Sequence, residues 1–111
     1  MRSIFGIVTS CLLLACVDGP TIPRGAPTIR GTVRGPGELG SLLIQAGADS
    51  TSCDTSARAY VQMGHATIVR RAGGRAPATA LQVGTVVSVW TTGAVLDMCP
   101  GIVTAAVVVI E

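Results

Sequence analysis

Lysine and asparagine are absent from this 111-residue chain, and its eight basic residues are all arginines, set against six acids. The formal net charge is only +2, and it becomes +1 if residues 1–15, which hold Arg2 and no acid, are removed. Aromatic residues are also scarce, with one Phe, one Tyr and one Trp. Proteins that bind nucleic acid usually carry a strong basic excess, and those that bind single strands also need stacking aromatics. The composition therefore argues against nucleic acid as a partner.

Histidine occurs once, at His65, whereas a blue-copper site requires two histidines and a cysteine. The sequence also has no nucleophile elbow, phosphate-binding loop, zinc-ligand pair or CxxC motif. Asp54 and Asp97 each lie beside a cysteine and could form a glycosidase-like carboxylate pair, but no other catalytic group accompanies them. We therefore expect no enzymatic activity, no bound metal and no cofactor. The soft side chains of Met63, His65 and Cys99 remain an alternative set of metal ligands.

The N-terminal segment has the pattern of an export signal. Arg2 precedes an apolar stretch over residues 4–15, which is too short to cross a bilayer because a spanning helix needs about 20 residues. Leu13, Ala15 and Cys16 at the end of this stretch resemble the lipobox of bacterial lipoproteins. The resemblance implies that the Cys16 thiol carries a diacylglyceryl group and becomes the new N-terminus after cleavage. Ordinary secretion with a chance cysteine is the alternative.

The chain accordingly divides into three parts. Residues 1–15 are expected to be the signal peptide, and residues 16–27, rich in proline and glycine, a lipidated flexible tether. Residues 28–111 then form one small domain with a modest core. The mature protein is expected to be exported and held by the acyl chains on Cys16 to the outer membrane, on its periplasmic face or at the cell surface.

Two cysteines, Cys53 and Cys99, remain after the signal peptide and the lipidated cysteine are set aside. An even number of cysteines in an exported domain indicates a disulfide. Closing a loop of this length would stabilise the fold by about 4 kcal/mol in the chain-entropy model. Two buried free thiols, or a metal site, are the alternatives.

Short strands separated by turn residues fill the domain. They are predicted at residues 28–34, 42–46, 58–63, 83–91 and 102–110, with a short extended piece at 66–69 and one helical turn at 77–81. Gly31 inside the first strand indicates a bend or a close backbone approach, as at a barrel corner. Thr92 and Gly93 are predicted to turn the chain, and the apolar, β-branched final strand should be buried on both faces.

Five strands with a longer excursion between the third and the fourth are typical of an OB-fold, a small Greek-key barrel. A small β-sandwich is the competing architecture. Residues 81–93, LQVGTVVSVWTTG, are followed by a proline break and an alanine-containing, β-branched last strand. This pattern is similar to small OB-fold bacterial lipoproteins of the YobA-like group, over roughly residues 28–111. The resemblance implies a fold and an envelope location but no catalytic residues, and Cys53 and Cys99 depart from it.

Candidate binding residues are few. Arg70, Arg71 and Arg75 form the one cluster of charge, and their planar guanidinium groups suit carboxylates and phosphates. This loop could contact lipid headgroups, an anionic glycan or an envelope protein, although a solvated loop is the simpler interpretation. Tyr60 and Trp90 could line a ligand surface, and packing is the simpler role for Trp90.

The expected function is that of a lipid-anchored cell-envelope protein, a non-enzymatic module for interaction or structural support. The alternative is an envelope protein that binds a small ligand or a metal through the Arg70–Arg75 loop or the soft side chains.

Overall fold

The computed structural model describes residues 21–37, 40–48, 51–96 and 99–111. The predicted signal peptide, the lipobox with Cys16, and Asp97 lie outside these residues. Within them, no helix is both long enough and apolar enough to cross a membrane.

Six strands and one short 3-10 helix make up the described structure. The strands are β1 (Ile29–Pro36), β2 (Leu42–Gln45), β3 (Arg58–Gln62), β4 (Thr67–Arg70), β5 (Val86–Leu96) and β6 (Gly101–Ile110). The 3-10 helix, Ala78–Ala80, follows Pro77 and lies in the excursion between β4 and β5.

Five of the strands close into a barrel. β1 pairs antiparallel with β2 and β5, β2 pairs antiparallel with β3, and β5 pairs antiparallel with β6. The parallel pairing of β3 with β6 completes the closure, and β4 adds to β6 as an outer strand. The prediction of an all-β, OB-like barrel is confirmed, and the β-sandwich alternative is wrong because the sheet closes on itself. The extended piece predicted at residues 66–69 corresponds to the outer strand.

Gly31 lies at the corner where β1 changes partners. The first half of β1 pairs with β5, and from Thr32 onward the strand pairs with β2, where Thr32 lies opposite Gln45. A Cβ atom on Gly31 would lie 2.5 Å from the Gln45 carbonyl oxygen. Only glycine allows two backbones to approach this closely, so the predicted corner is confirmed.

The barrel interior is filled with aliphatic side chains. Alternate residues of each strand face inward, as the period-two pattern requires, and Val87 and Val89 of β5 are fully buried. The core cluster comprises Ile29, Val33, Ile44, Ala59, Val61, Leu81, Val87, Val89, Val103, Ala105 and Val108. No aromatic side chain belongs to this cluster in the described part of the chain.

β6 is the central strand of the fold. β5 lies along one of its edges, while β3 and then β4 lie along the other. Inward-facing Val108 and outward-facing Val109 are both buried. The prediction that the last strand is buried on both faces is therefore confirmed over most of its length, with Thr104 exposed.

The predicted turn at Thr92 and Gly93 is wrong. β5 continues to Leu96, and its pairing with β6 resumes after an irregularity between Thr92 and Leu96. Gly93 has a φ of +74°, a conformation that glycine adopts without strain. The glycine therefore introduces a bulge into the strand instead of ending it.

Candidate functional site

The disulfide joins two loops at one end of the barrel. Cys53 precedes β3 and Cys99 precedes β6, and the two residues are bonded with their Cα atoms 4.8 Å apart. The parallel pairing of these strands begins just beyond the bridge, where Ala59 lies opposite Gly101. The predicted Cys53–Cys99 disulfide is confirmed. It lies just before the point at which β3 and β6 begin to pair and close the barrel.

One of the three soft side chains proposed as metal ligands is already bonded within the protein. The Cys99 sulfur is bonded to Cys53, so it is not available as a thiolate. Met63 is partly buried against the core, whereas His65 is exposed in the turn after β3. Within the described residues, no group of three His, Cys, Asp or Glu side chains could hold a metal ion.

Asp54 acts as a turn residue in the loop before β3. Its carboxylate accepts hydrogen bonds from the backbone N–H of Ser56 at 2.9 Å and from the Ser56 hydroxyl at 2.8 Å. These two bonds lower the pKa of the Asp54 carboxyl, because they stabilise its charged form. The arrangement is the local one expected for Asp in a solvated turn.

The arginine cluster lies at the end of β4. Arg71 donates to both carboxylate oxygens of Glu111, from Nε at 3.0 Å and from Nη2 at 2.6 Å. The Ser88 hydroxyl donates to the same carboxylate at 2.6 Å. The arginine and the serine together lower the pKa of Glu111 from 4.5 to about 2. Arg71 is therefore held by a partner within the protein.

Arg70 and Arg75 are exposed, and neither forms a salt bridge with another described residue. An open cleft of about 410 Å³ runs beside this cluster and is lined by Arg70, Arg71, Ala72, Ile110 and Glu111. One of its two arginines is already neutralised by Glu111. The predicted cluster thus supplies free guanidinium groups at Arg70 and Arg75, while Arg71 has a structural role.

Trp90 faces outward from β5 and is hydrogen-bonded to the segment that precedes β1. Its Nε1–H donates to the Gly25 carbonyl oxygen at 3.1 Å. Next to it, the hydroxyls of Thr28 and Thr91 are 2.9 Å apart, and the Thr28 N–H donates to the Val89 carbonyl at 2.8 Å. These contacts join Trp90 and its neighbours to the segment before β1, and a ligand surface at Trp90 stays a prediction.

Tyr60 is half-buried on β3 and lies against Gly37, so close that a side chain at Gly37 would overlap its ring. Tyr60 lies opposite Ile102 near the start of β6, and Trp90 lies opposite Val107 near its end. Five residues of strand correspond to about 17 Å, and the two aromatics flank opposite edges of β6. The structure therefore does not bring Tyr60 and Trp90 into one groove.

Ser88 and Glu111 are site residues that sequence reasoning did not identify. Ser88 stands between the inward-facing Val87 and Val89 in the apolar first part of β5, and it is buried. A polar residue at an outward position of such a strand could have suggested a buried partner, but nothing in the sequence indicates that this partner is Glu111.

Comparison with known proteins gives no match, since no family model, no curated protein and no solved structure resembles the chain significantly. The resemblance to YobA-like lipoproteins therefore stays a prediction, and the OB-like fold rests on the strand topology itself.

Proposed function

We propose that this protein is a lipid-anchored component of the bacterial cell envelope and that its barrel is a non-enzymatic module for interaction or structural support. The observation that carries the proposal is the filling of the barrel interior by aliphatic side chains. Sites for small molecules are usually concave and combine apolar walls with a few convergent polar groups. The cleft beside Arg70 and Arg71 lies outside the barrel and is open. Contacts made by such a module would use its outer surface.

The disulfide supports an envelope location. Bridges of this kind persist in oxidising compartments and are rare in the cytosol. An exported protein with the lipobox ending at Cys16 would carry two or three acyl chains. One chain gives only marginal membrane binding, whereas two give stable anchoring.

The alternative of a small-ligand or metal-binding protein has less support. Glu111 already neutralises Arg71, and the disulfide already uses the Cys99 sulfur. Two of the groups on which that alternative depends are therefore engaged within the protein.

The anchor is tested by labelling cells that express the full chain with an alkyne-tagged fatty acid. We expect the label on the wild-type protein and on Cys11→Ala, because Cys11 lies within the segment that signal cleavage removes. Cys16→Ala should carry no label. Labelled Cys16→Ala protein, or an unlabelled wild type, would refute the proposal.

A further inference from the structure

A row of five residues crosses the outer face of the sheet formed by β1, β5, β6 and β4. Cross-strand pairing places Arg30 opposite Ser88, Ser88 opposite Val109, and Val109 opposite Val69. A bridge from β4 to the following turn then places Val69 opposite Arg75. Residues directly opposite one another in a sheet point to the same side. We call Arg30, Ser88, Val109, Val69 and Arg75 the outer row.

The outer row carries positive charge at both ends. Its three central residues are buried, while Arg30 and Arg75 are exposed. With neighbouring strands about 4.8 Å apart, the row is about 19 Å long. The one acid described beside it, Glu111, pairs with Arg71 and lies close enough to Arg30 for that charge to help lower its pKa. The exposed arginines at the two ends therefore leave this face with a net positive charge.

The chain from the predicted anchor reaches the barrel on this same face. Val89 faces the core, so its neighbour Trp90 points outward, and Trp90 holds the Gly25 carbonyl. Arg24, beside that carbonyl, is also exposed. From Cys16 to Gly25 the chain can span at most about 30 Å. A lipidated Cys16 would therefore keep the attachment point on this face within about 30 Å of the bilayer.

We propose that the face carrying the outer row is the membrane-facing surface of the anchored protein and that Arg30 and Arg75 bind the anionic headgroups of lipids. The inference rests on the proposed lipid anchor. Guanidinium groups suit phosphate oxygens, since they donate two parallel hydrogen bonds. Basic side chains near an anionic surface each strengthen binding by about fivefold, and salt screens this attraction. The tether brings the protein to the membrane, and the two arginines orient it there.

Arg70 supplies a matched control. It lies opposite Ile110, whose side chain packs against the core, so Arg70 points away from the outer row although it is only five positions from Arg75. Arg70→Gln and Arg75→Gln remove the same charge from exposed positions. Only the second removes charge from the proposed membrane-facing surface.

Trp90 is the one tryptophan of the chain, so its fluorescence reports the position of this face. The full-length protein is purified from membranes and reconstituted into vesicles of phosphatidylcholine, with or without phosphatidylglycerol, that contain a lipid with a spin-labelled headgroup. We expect stronger quenching of Trp90 in the anionic vesicles, and a decrease of that quenching in high salt. Arg75→Gln and Arg30→Gln should each lower the ratio of docked to undocked protein about fivefold, whereas Arg70→Gln should leave it unchanged. Unchanged thermal melting would show that the variants are folded.

Equal quenching in the two kinds of vesicle would overturn the inference, as would equal effects of Arg70→Gln and Arg75→Gln. The mass of the same preparation separates this failure from failure of the anchor. Acyl chains on Cys16 together with equal quenching would leave the anchor intact and refute the orientation. If the acyl chains are absent, sedimentation of the same variants with the two kinds of vesicle replaces quenching. Salt-sensitive binding that requires Arg30 and Arg75 would then support the headgroup site, and equal binding would overturn it.

Discussion

Replacing Gly31 by alanine places a methyl group against backbone atoms at the barrel corner. The added carbon would lie 2.5 Å from the Gln45 carbonyl oxygen and 2.6 Å from the carbon of the same group. Both distances are far below van der Waals contact, and neither atom belongs to a side chain that could rotate away. Either β1 or β2 must therefore move at the point where β1 passes from one partner to the other.

The expected loss of stability in Gly31→Ala follows from this geometry. Inserting a methyl group into a well-packed site usually costs about 1–3 kcal/mol, and we expect a value near the upper end because backbone has to shift. In a domain of this size, each kcal/mol lowers the melting temperature by about 4–8 °C. Gly25→Ala is the matched control, since no atom lies within 4 Å of a Cβ at that position.

Urea unfolding of the oxidised protein measures both variants. Gly31→Ala should reduce the free energy of unfolding by about 2–3 kcal/mol, and Gly25→Ala should change it by less than about 0.5 kcal/mol. If the two variants are equally stable, the strands do not cross as closely as described and the corner is placed incorrectly.

Replacing Cys53 and Cys99 together by serine should lower the free energy of unfolding, measured in urea, by up to about 4 kcal/mol. Identical unfolding curves of the wild-type protein with and without reductant would show that the bridge contributes nothing. The pKa of Glu111 is lowered to about 2 in the folded protein. The ionised carboxylate therefore stabilises the fold at neutral pH, and this stabilisation is lost as pH falls from about 5 to about 2. Glu111→Gln should therefore lower the free energy of unfolding at neutral pH by about 1 kcal/mol. It should also weaken the dependence of that free energy on pH below about 5. An unchanged pH dependence would contradict the pairing of Glu111 with Arg71. Trp90→Phe removes the hydrogen bond between the indole and the Gly25 carbonyl. It should therefore speed tryptic cleavage after Arg24 severalfold without changing the free energy of unfolding of the barrel. An unchanged cleavage rate would show that the indole does not hold this segment.

The strands of the barrel could be predicted because local pattern determines them. Alternation places Ile29 and Val33 on one face, and the β-branched run at the end of the chain indicates a strand buried on both sides. Gly31 could be assigned to a corner because a glycine inside a strand usually marks a bend or a close backbone approach. The prediction for Gly93 is wrong since a glycine with positive φ suits a bulge as well as a turn, and only the pairing with β6 distinguishes the two.

The contacts around the candidate surfaces could not be predicted, because they join residues far apart in the chain. Arg71 and Glu111 are separated by 40 positions and Trp90 and Gly25 by 65. The outer row likewise depends on the register of four strands, so the sequence places its two arginines in unrelated segments. The disulfide, by contrast, could be predicted from the sequence, because Cys53 and Cys99 are the only two cysteines that follow the predicted lipidation site.

We propose that a lipid anchor and a disulfide are present on the same barrel. Intact mass spectrometry of the protein extracted from membranes, before and after reduction, detects both in one measurement. We predict the mass of residues 16–111 plus acyl groups, with a gain of two hydrogen atoms on reduction. An unmodified chain that still includes the signal segment, with no change on reduction, would contradict both the anchor and the bridge.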